Sequence, residues 1–308
     1  MSNSARTKNT EAAKTIDGDS FAAGGRLNEQ QFAEFFRMAQ DSAQFLDRAR
    51  TVDLSGPEQK IDKIGVGERI MRSATDGERG DLNDVSTGEV KMQVEEVEIP
   101  FKISRRVAED TIEGENTAQT IQDLFVGQFG ADSEDLGFNG DESSEDDFES
   151  INDGWIAIAE DEGADTVDAE NEGVDKTIFS EMVTSLDDKY RRGDRDLVIL
   201  SSLNTKQDYK EYLADRSSAA GDAMLMTGDE PTPFGYEMVT PVGFPDDMLM
   251  LTQPENLIWG VHRDVDLSVT TEGEAVVLER LWGIGNVTAR TDYAIEDADG
   301  VVLAENLG

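Results

Sequence analysis

Thr117–Gly140, TAQTIQDLFVGQFGADSEDLGFNG, is the stretch on which the fold turns. Ile121, Leu124, Phe125 and Phe129 recur at i, i+3, i+4 and i+8, a spacing that predicts one face of an α-helix. Asn116 or Thr117 can cap its start, and Gly137 with Asn139–Gly140 ends it. About nineteen helical residues at ~1.5 Å each make a rod of about 30 Å. A charged strand region precedes this rod, and an acidic, glycine-bearing turn, GFNGDESSEDD, follows it.

Upstream, Ile61–Ile103 reads as an extended hairpin. Ile64, Val66 and Ile70 mark the outgoing arm, GERGDLNDVSTG is a polar connection, and Val90, Met92 and Val94 begin the return. The parity then flips, because Val97, Ile99, Phe101 and Ile103 continue on the opposite phase. A period-2 strand changes faces in this way through a bulge or kink, here near Glu95–Glu96. A lone two-stranded hairpin is marginal in water, so this one needs a surface to lie on, and another subunit would supply it. Arg69, Arg72 and Arg79 are then candidate partners for acidic neighbours; ordinary solvated charges are the alternative. Further back, residues 1–25 read as a mobile arm. Asn28 with Gln31 resembles a capping box, followed by a helical face of Phe32, Phe35, Phe36, Ala39, Ala43 and Leu46 up to about Arg50. That helix fits a core role or an arm docking on a neighbouring subunit equally well.

Downstream, an acid-rich segment, NDGWIAIAEDEGADTVDAENEG, has Trp155 as its anchor. An α/β block follows. Ile178, Phe179, Met182, Val183, Leu186 and Tyr190 form one broad helical face that Gly193 ends. DLVILSS is a short buried strand, and Thr205 caps a second helix carrying Tyr209, Tyr212 and Leu213. The proline- and methionine-bearing run from Met224 to Gln253 reads as strands and loops around an edge. LIWGV, VDLSV, AVVLERLWGIGNVTARTDYAI and GVVLAEN read as closing strands, with turns at Thr271–Gly273 and Asp297–Gly300, forming a sheet that covers the central helix.

The 308 residues allow a substantial core and two subdomains. Lys and Arg number 27 against 67 Asp and Glu, a formal charge of −40, which repels nucleic acid and anionic membranes. The acids are spread along the whole chain between periodic apolar segments, as in a protein adapted to molar salt, where the Debye length is about 3 Å. There is no cysteine, so disulfides and thiolate chemistry are excluded. Neither a secretory signal nor a membrane span is read in the sequence. The single histidine, His262, leaves HExxH sites and histidine-bearing triads incomplete. Gly65-Val66-Gly67 and Gly283-Ile284-Gly285 lack the third glycine of a dinucleotide fingerprint and read as bulges or close backbone contacts. Asp135 through Asp146 departs from a calcium loop at its third and twelfth positions, so it reads as a turn. No catalytic, cofactor or metal residue is assigned.

The order of elements resembles the major capsid protein of tailed viruses, the Hong Kong ninety-seven fold. DLGFNGDE…INDGWI resembles the exit of the spine helix. PFGYEMVTPVGFPDDMLMLTQPENLIWGVHRDV is similar to the return from axial to peripheral domain, and RTDYAIEDADGVVLAENL to the C-terminal strand. The resemblance implies an α+β, phage-capsid-type fold. Residues 1–58 would be an N-terminal arm and 59–100 an extended loop. Residues 101–150 with 262–308 would form a peripheral domain with the spine helix, and 151–261 an α/β axial domain. It further implies a non-enzymatic subunit that self-assembles into pentamers and hexamers of an icosahedral virion shell. That shell encloses double-stranded DNA without sequence-specific contact and assembles in the host cytoplasm, with scaffold, portal and decoration proteins as further partners. The acidity places the virus in an extremely halophilic archaeon. The buried lysine–asparagine–glutamate site of crosslinked relatives is not found, so no covalent crosslink is expected. Phe32, Phe35, Phe36, Arg69, Arg72, Arg79 and Trp155 are the candidate subunit-interface residues. A cellular nanocompartment shell, encapsulin-like, and an acidic halophilic carboxylate-pair hydrolase are the competing readings.

Overall fold

The computed structural model describes residues 25–26, 37, 39–40, 43–65, 86–105, 117–192, 196–214, 230–270 and 272–308. The strands, in chain order, begin with β1 (Gly25–Arg26), β2 (Arg50–Leu54), β3 (Glu58–Gly65), β4 (Ser86–Gln93) and β5 (Glu95–Ser104). The long helix α1 (Thr117–Asn139) follows, then α2 (Trp155–Asp161), β6 (Asp165–Asp168), α3 (Lys176–Ser185), α4 (Asp188–Arg191), β7 (Val198–Ser201) and α5 (Leu203–Ala214). The chain closes with β8 (Glu237–Val239), β9 (Leu249–Thr252), β10 (Leu257–Thr270), α6 (Glu274–Leu278), β11 (Leu281–Ile295) and β12 (Val302–Glu305).

The first sheet runs β1-β10-β11-β5, with β2 parallel to β10 along Arg50–Leu54. Its centre is the long β10–β11 antiparallel pair, which shifts register between His262 and Asp266. The second sheet runs β6-β12-β9-β7-β8. The third is the isolated β3–β4 hairpin, in register from Glu58 opposite Gln93 to Gly65 opposite Ser86.

Helix α1 lies against the first sheet from Phe125 onward, as the sequence predicts, and it stops at Gly140. The inward face differs from the predicted one. At about 100° per residue, Val126, Phe129, Ser133, Leu136 and Gly137 share a side and are buried. Leu124 falls on the opposite side and is 68% exposed. Near the start of the helix, Phe125 stacks on Phe101 of β5 with ring centroids 4.4 Å apart. Near its end, the Tyr293 hydroxyl of β11 donates to the Ser133 carbonyl at 2.6 Å. Gly130 lets another segment cross the helix closely, since a Cβ there would meet the Ala39 carbonyl oxygen at 2.1 Å.

Other expectations also shift. The helix expected to reach Arg50 gives way to bends and turns over 43–49, and Arg50 opens β2. The cause is tertiary: the amides of Phe45 and Leu46 are taken by a carboxylate on α1. The single helix expected over Ile178–Tyr190 is two, α3 and α4, broken at Leu186; its apolar face is nonetheless buried, Val183 only partly. The cap of α5 is Ser202, whose Oγ accepts the Thr205 N–H at 3.1 Å, rather than Thr205 itself. The apolar run AVVL is the helical turn α6, not strand, bounded by Gly273 (φ 131°) and Arg280 (φ 54°). The last strand, β12, leaves the first sheet and lies between β6 and β9 in the second. Val302, Leu303 and Ala304 are fully buried there, as suits an interior strand.

Candidate assembly elements

The hairpin leaves the body at one joint. Its inward residues Met92 and Val94 pack with Leu54, Ile258 and Ala294 against the first sheet. At Val94 the chain stops pairing with β3, and from Glu95 it pairs with β11, Glu95 lying opposite Thr291. The parity flip in the sequence is thus a change of sheet, one residue before the position expected. Two hydrogen bonds fix the joint: the Val94 N–H donates to the Pro57 carbonyl at 3.0 Å, and the Gln93 N–H to Asp292 Oδ2 at 2.6 Å. Burial pushes the Asp292 carboxyl up to about 7, against the amides of Gln93 and Tyr293 and the Asn152 side chain; Glu142 adds a smaller upward push.

A second joint ties the segment 43–49 to α1. Glu134 has no exposed surface. Its Oε2 accepts the N–H groups of Phe45 at 2.8 Å and Leu46 at 3.1 Å, and its Oε1 accepts the Val242 N–H at 2.6 Å. One carboxylate therefore joins the arm base, the long helix and the loop before β9. Burial raises its carboxyl above the usual carboxylate range, opposed by the backbone donors of Val242, Phe45, Leu46 and Gln44. Above it sits an aromatic cluster: Phe138 and Trp155 are 5.0 Å apart between centroids, Phe45 and Phe138 5.7 Å, and Trp155 and Tyr293 5.2 Å.

Trp155 is accordingly the anchor expected, but inside its own subunit. It is 0% exposed and its Nε1 donates to the Ile258 carbonyl at 3.1 Å, so the ring has no surface left for a neighbour. Phe32, Phe35, Phe36, Arg69, Arg72 and Arg79 lie outside the described residues, as does the capping-box pair. Sequence reasoning missed Glu134 and Asp292; a carboxylate among 67 carries no mark of its burial. Glu134 lies well round the helix from the apolar face read in the sequence, so its position gave no signal either.

An open depression is bordered by Asp168, Glu170, Glu172, Asp175 and Glu181. Asp168 is held below the usual range by the Glu170 amide and the Asn306 side chain. Burial alone would raise Asp175, but it caps α3, and donors from Thr177 and Ile178 hold it low. Both serve the local backbone. The acids after α1 do the same: Asp146 accepts the Phe148 N–H at 2.8 Å, and Asp153 the Glu142 N–H at 2.8 Å. Among the described residues, no group of three or more His, Asp or Glu is placed to hold a metal ion. Gly285 bears out the close-contact reading, since a Cβ there would meet the Phe101 ring at 2.2 Å.

No protein-family model matches the chain. A Bacillus subtilis (strain 168) protein named as a prophage capsid protein, YqbE, is 29% identical over 294 residues, covering 91% of this chain and 92% of that one. Among solved structures, a chain of the satellite phage P4 procapsid superposes with a TM-score of 0.67 at 19% identity, over 89% of this chain and 90% of that chain. The capsid of a native GTA particle superposes with a TM-score of 0.63 at 11% identity, over 88% and 91%. Over nearly nine-tenths of its length, the chain has the fold of phage capsid proteins.

Proposed function

We propose that this chain is a major capsid protein whose copies assemble into the icosahedral shell of a tailed virus. The observation that carries the reading is the end-to-end likeness to a prophage capsid protein, 91% of one chain on 92% of the other. The anatomy supports it: a hairpin rooted at a single joint, and an arm base stapled to the long helix, are levers that can reach neighbours while the core stays fixed. The subunit is structural rather than enzymatic.

In finer detail, residues 1–58 act as the arm, 59–100 as the extended loop, 101–150 with 262–308 as the peripheral domain, and 151–261 as the axial domain, with β12 returning into the axial sheet. Pentamers and hexamers close the shell around double-stranded DNA, with scaffold, portal and decoration proteins as further partners, in the host cytoplasm. The charge of −40 supports a halophilic archaeal host. It also implies a genome held through counter-ions rather than by basic wall contacts. High salt then strengthens the shell by screening and by favouring apolar burial.

Electron microscopy of the purified protein in molar salt tests this. Closed shells, or rings of five and six, are expected. A monodisperse monomer across salt and protein concentration would overturn self-assembly by this chain alone. Shells loaded with a host enzyme instead of DNA would favour a nanocompartment. Particles that survive dialysis into low salt without divalent ions would contradict the salt argument.

A further inference from the structure

The loop 240–247, between β8 and β9, is held from two sides. On one side is the end of α1. Glu134 Oε1 accepts the Val242 N–H at 2.6 Å, and Asn139 Nδ2 donates to the Gly243 carbonyl at 2.6 Å. The buried Phe244 ring meets Phe138 edge-on, with centroids 5.2 Å apart. On the other side is the start of α5. Asn204 Nδ2 donates to Asp246 Oδ2 at 2.9 Å, and the buried Thr205 hydroxyl donates to the Asp246 carbonyl at 2.6 Å. The loop therefore reaches the capped turn of α5, where Ser202 Oγ accepts the Thr205 N–H at 3.1 Å. The Leu307 N–H donates to the Asp247 carbonyl at 3.2 Å, tying in the stretch after β12.

Such a loop has little freedom to leave one side and keep the other. Pro241 and Pro245 each fix φ at about −65°. Gly243 has φ 73°, and a Cβ there would meet Asp135 Oδ1 at 2.0 Å, so its backbone lies close against α1. Val242, Gly243 and Phe244 are consecutive. A displacement that draws Val242 off Glu134 thus also draws Gly243 from Asn139 and the Phe244 ring from Phe138. Asp246, two residues on, is pulled from α5 in the same movement. Glu134 carries the load at the far end as well, because its other oxygen accepts the amides of Phe45 and Leu46. Surface loops ordinarily open by themselves at small cost; one tied at so many points opens with its partners.

We propose that the loop 240–247 is a coupling strap: the segment 43–49, the end of α1 and the start of α5 release and reseat as one cooperative unit. Freeing 43–49 then loosens the start of α5, and loosening α5 frees 43–49. Sites that share one opening unit are coupled without touching each other, and the coupling is reciprocal. Under the capsid reading, 43–49 is the base of the arm and α5 belongs to the axial domain, so the strap lets each of these assembly elements sense whether the other is engaged. The coupling itself does not depend on that reading.

Native-state hydrogen exchange of the full chain, as free subunits in molar salt with urea below the unfolding transition, tests the strap. The amides of Thr205 and Lys206 both bond to Ser202. They should share one level of protection and one urea slope with the amides of Phe45, Leu46 and Val242. That slope should be shallower than the slope of Val302, Leu303 and Ala304 in the interior strand β12. Glu134→Gln should speed exchange at 205 and 206, which it does not touch, at least about fivefold, the lower end of ordinary couplings. From the other end, Asn204→Ala with Thr205→Val should speed exchange at 45 and 46 by a similar factor. Different urea slopes for 45–46 and 205–206, or parental rates at the far end in either variant, would overturn the strap. A common slope equal to that of β12 would also overturn it, because release would then be global unfolding. The parental slopes decide the matter even where a variant fails to fold. A chain that forms no shells would remove the capsid reading and leave this result standing.

Discussion

Replacing Glu134 with alanine removes the acceptor shared by Phe45, Leu46 and Val242, whose amides then lie buried without partners. Each buried unpaired donor costs about 1–3 kcal/mol. The three are not additive, water can enter the space left, and loss of a buried carboxyl offsets part of the cost. A net destabilisation of about 3–6 kcal/mol follows. Glu134→Gln keeps the shape and one acceptor oxygen but turns an amide group towards one of the donors, so about 1–3 kcal/mol is expected. The assay is urea unfolding followed by circular dichroism at fixed molar salt, with the urea slope unchanged if the transition stays two-state. Amide exchange at 45, 46 and 242 adds the local readout: all three should lose protection together in the alanine variant. An alanine variant within about 0.5 kcal/mol of the parent, or one whose three amides stay protected, would refute the argument that this carboxylate holds arm, helix and loop together.

Three further outcomes follow from the same reasoning. Asp292 is raised from 3.8 to about 7 in the fold, so the folded state binds the extra proton, and stability falls as pH rises through that window. Asp292→Asn should flatten the pH dependence of unfolding there and be at least as stable as the parent at about pH 8; an unchanged slope would count against burial as the cause. Gly130→Ala drives a Cβ into the Ala39 carbonyl and should cost about 1–3 kcal/mol, read as a lower thermal midpoint; no change would mean that the arm does not cross the helix so closely. Trp155→Ala removes a ring that is fully buried and donates to Ile258. It should cost about 3–5 kcal/mol by urea unfolding, and a folded variant of near-parental stability would disprove the core role.

The parts legible in the sequence were those with local causes. The long helix ends where Asn139–Gly140 says it should, and the parity flip after Val94 marked a real change of partner for the strand. The buried strand Val198–Ser201 followed from its unbroken apolar run. What was hidden depends on contacts distant in sequence. Residues 43–49 carry a helical pattern, yet the amides of Phe45 and Leu46 belong to Glu134, some 90 positions away. Leu124 was grouped with the inward face because apolar residues flank the stripe on both sides. AVVL is short enough that strand and helical turn look alike, and the backbone at Gly273 and Arg280 decides. Of the assembly elements, the hairpin and its need for support were readable, whereas the joint at Asp292 was not, because hydrogen bonding to Gln93 leaves no trace in a list of acids.

The placement of the last strands has a consequence for the order of events during synthesis. Helix α1 is buried under β11, and the second sheet is held together by β12, which bridges β6 and β9. Neither layer is complete until residues 281–305 are available. A chain emerging from the ribosome would carry its hairpin and long helix exposed until residues 281–305 follow, with strand partners still untranslated. Surfaces built on these two layers would take shape only together with them, once residues 281–305 are in place. Association before residues 281–305 have folded in is thus disfavoured by topology alone.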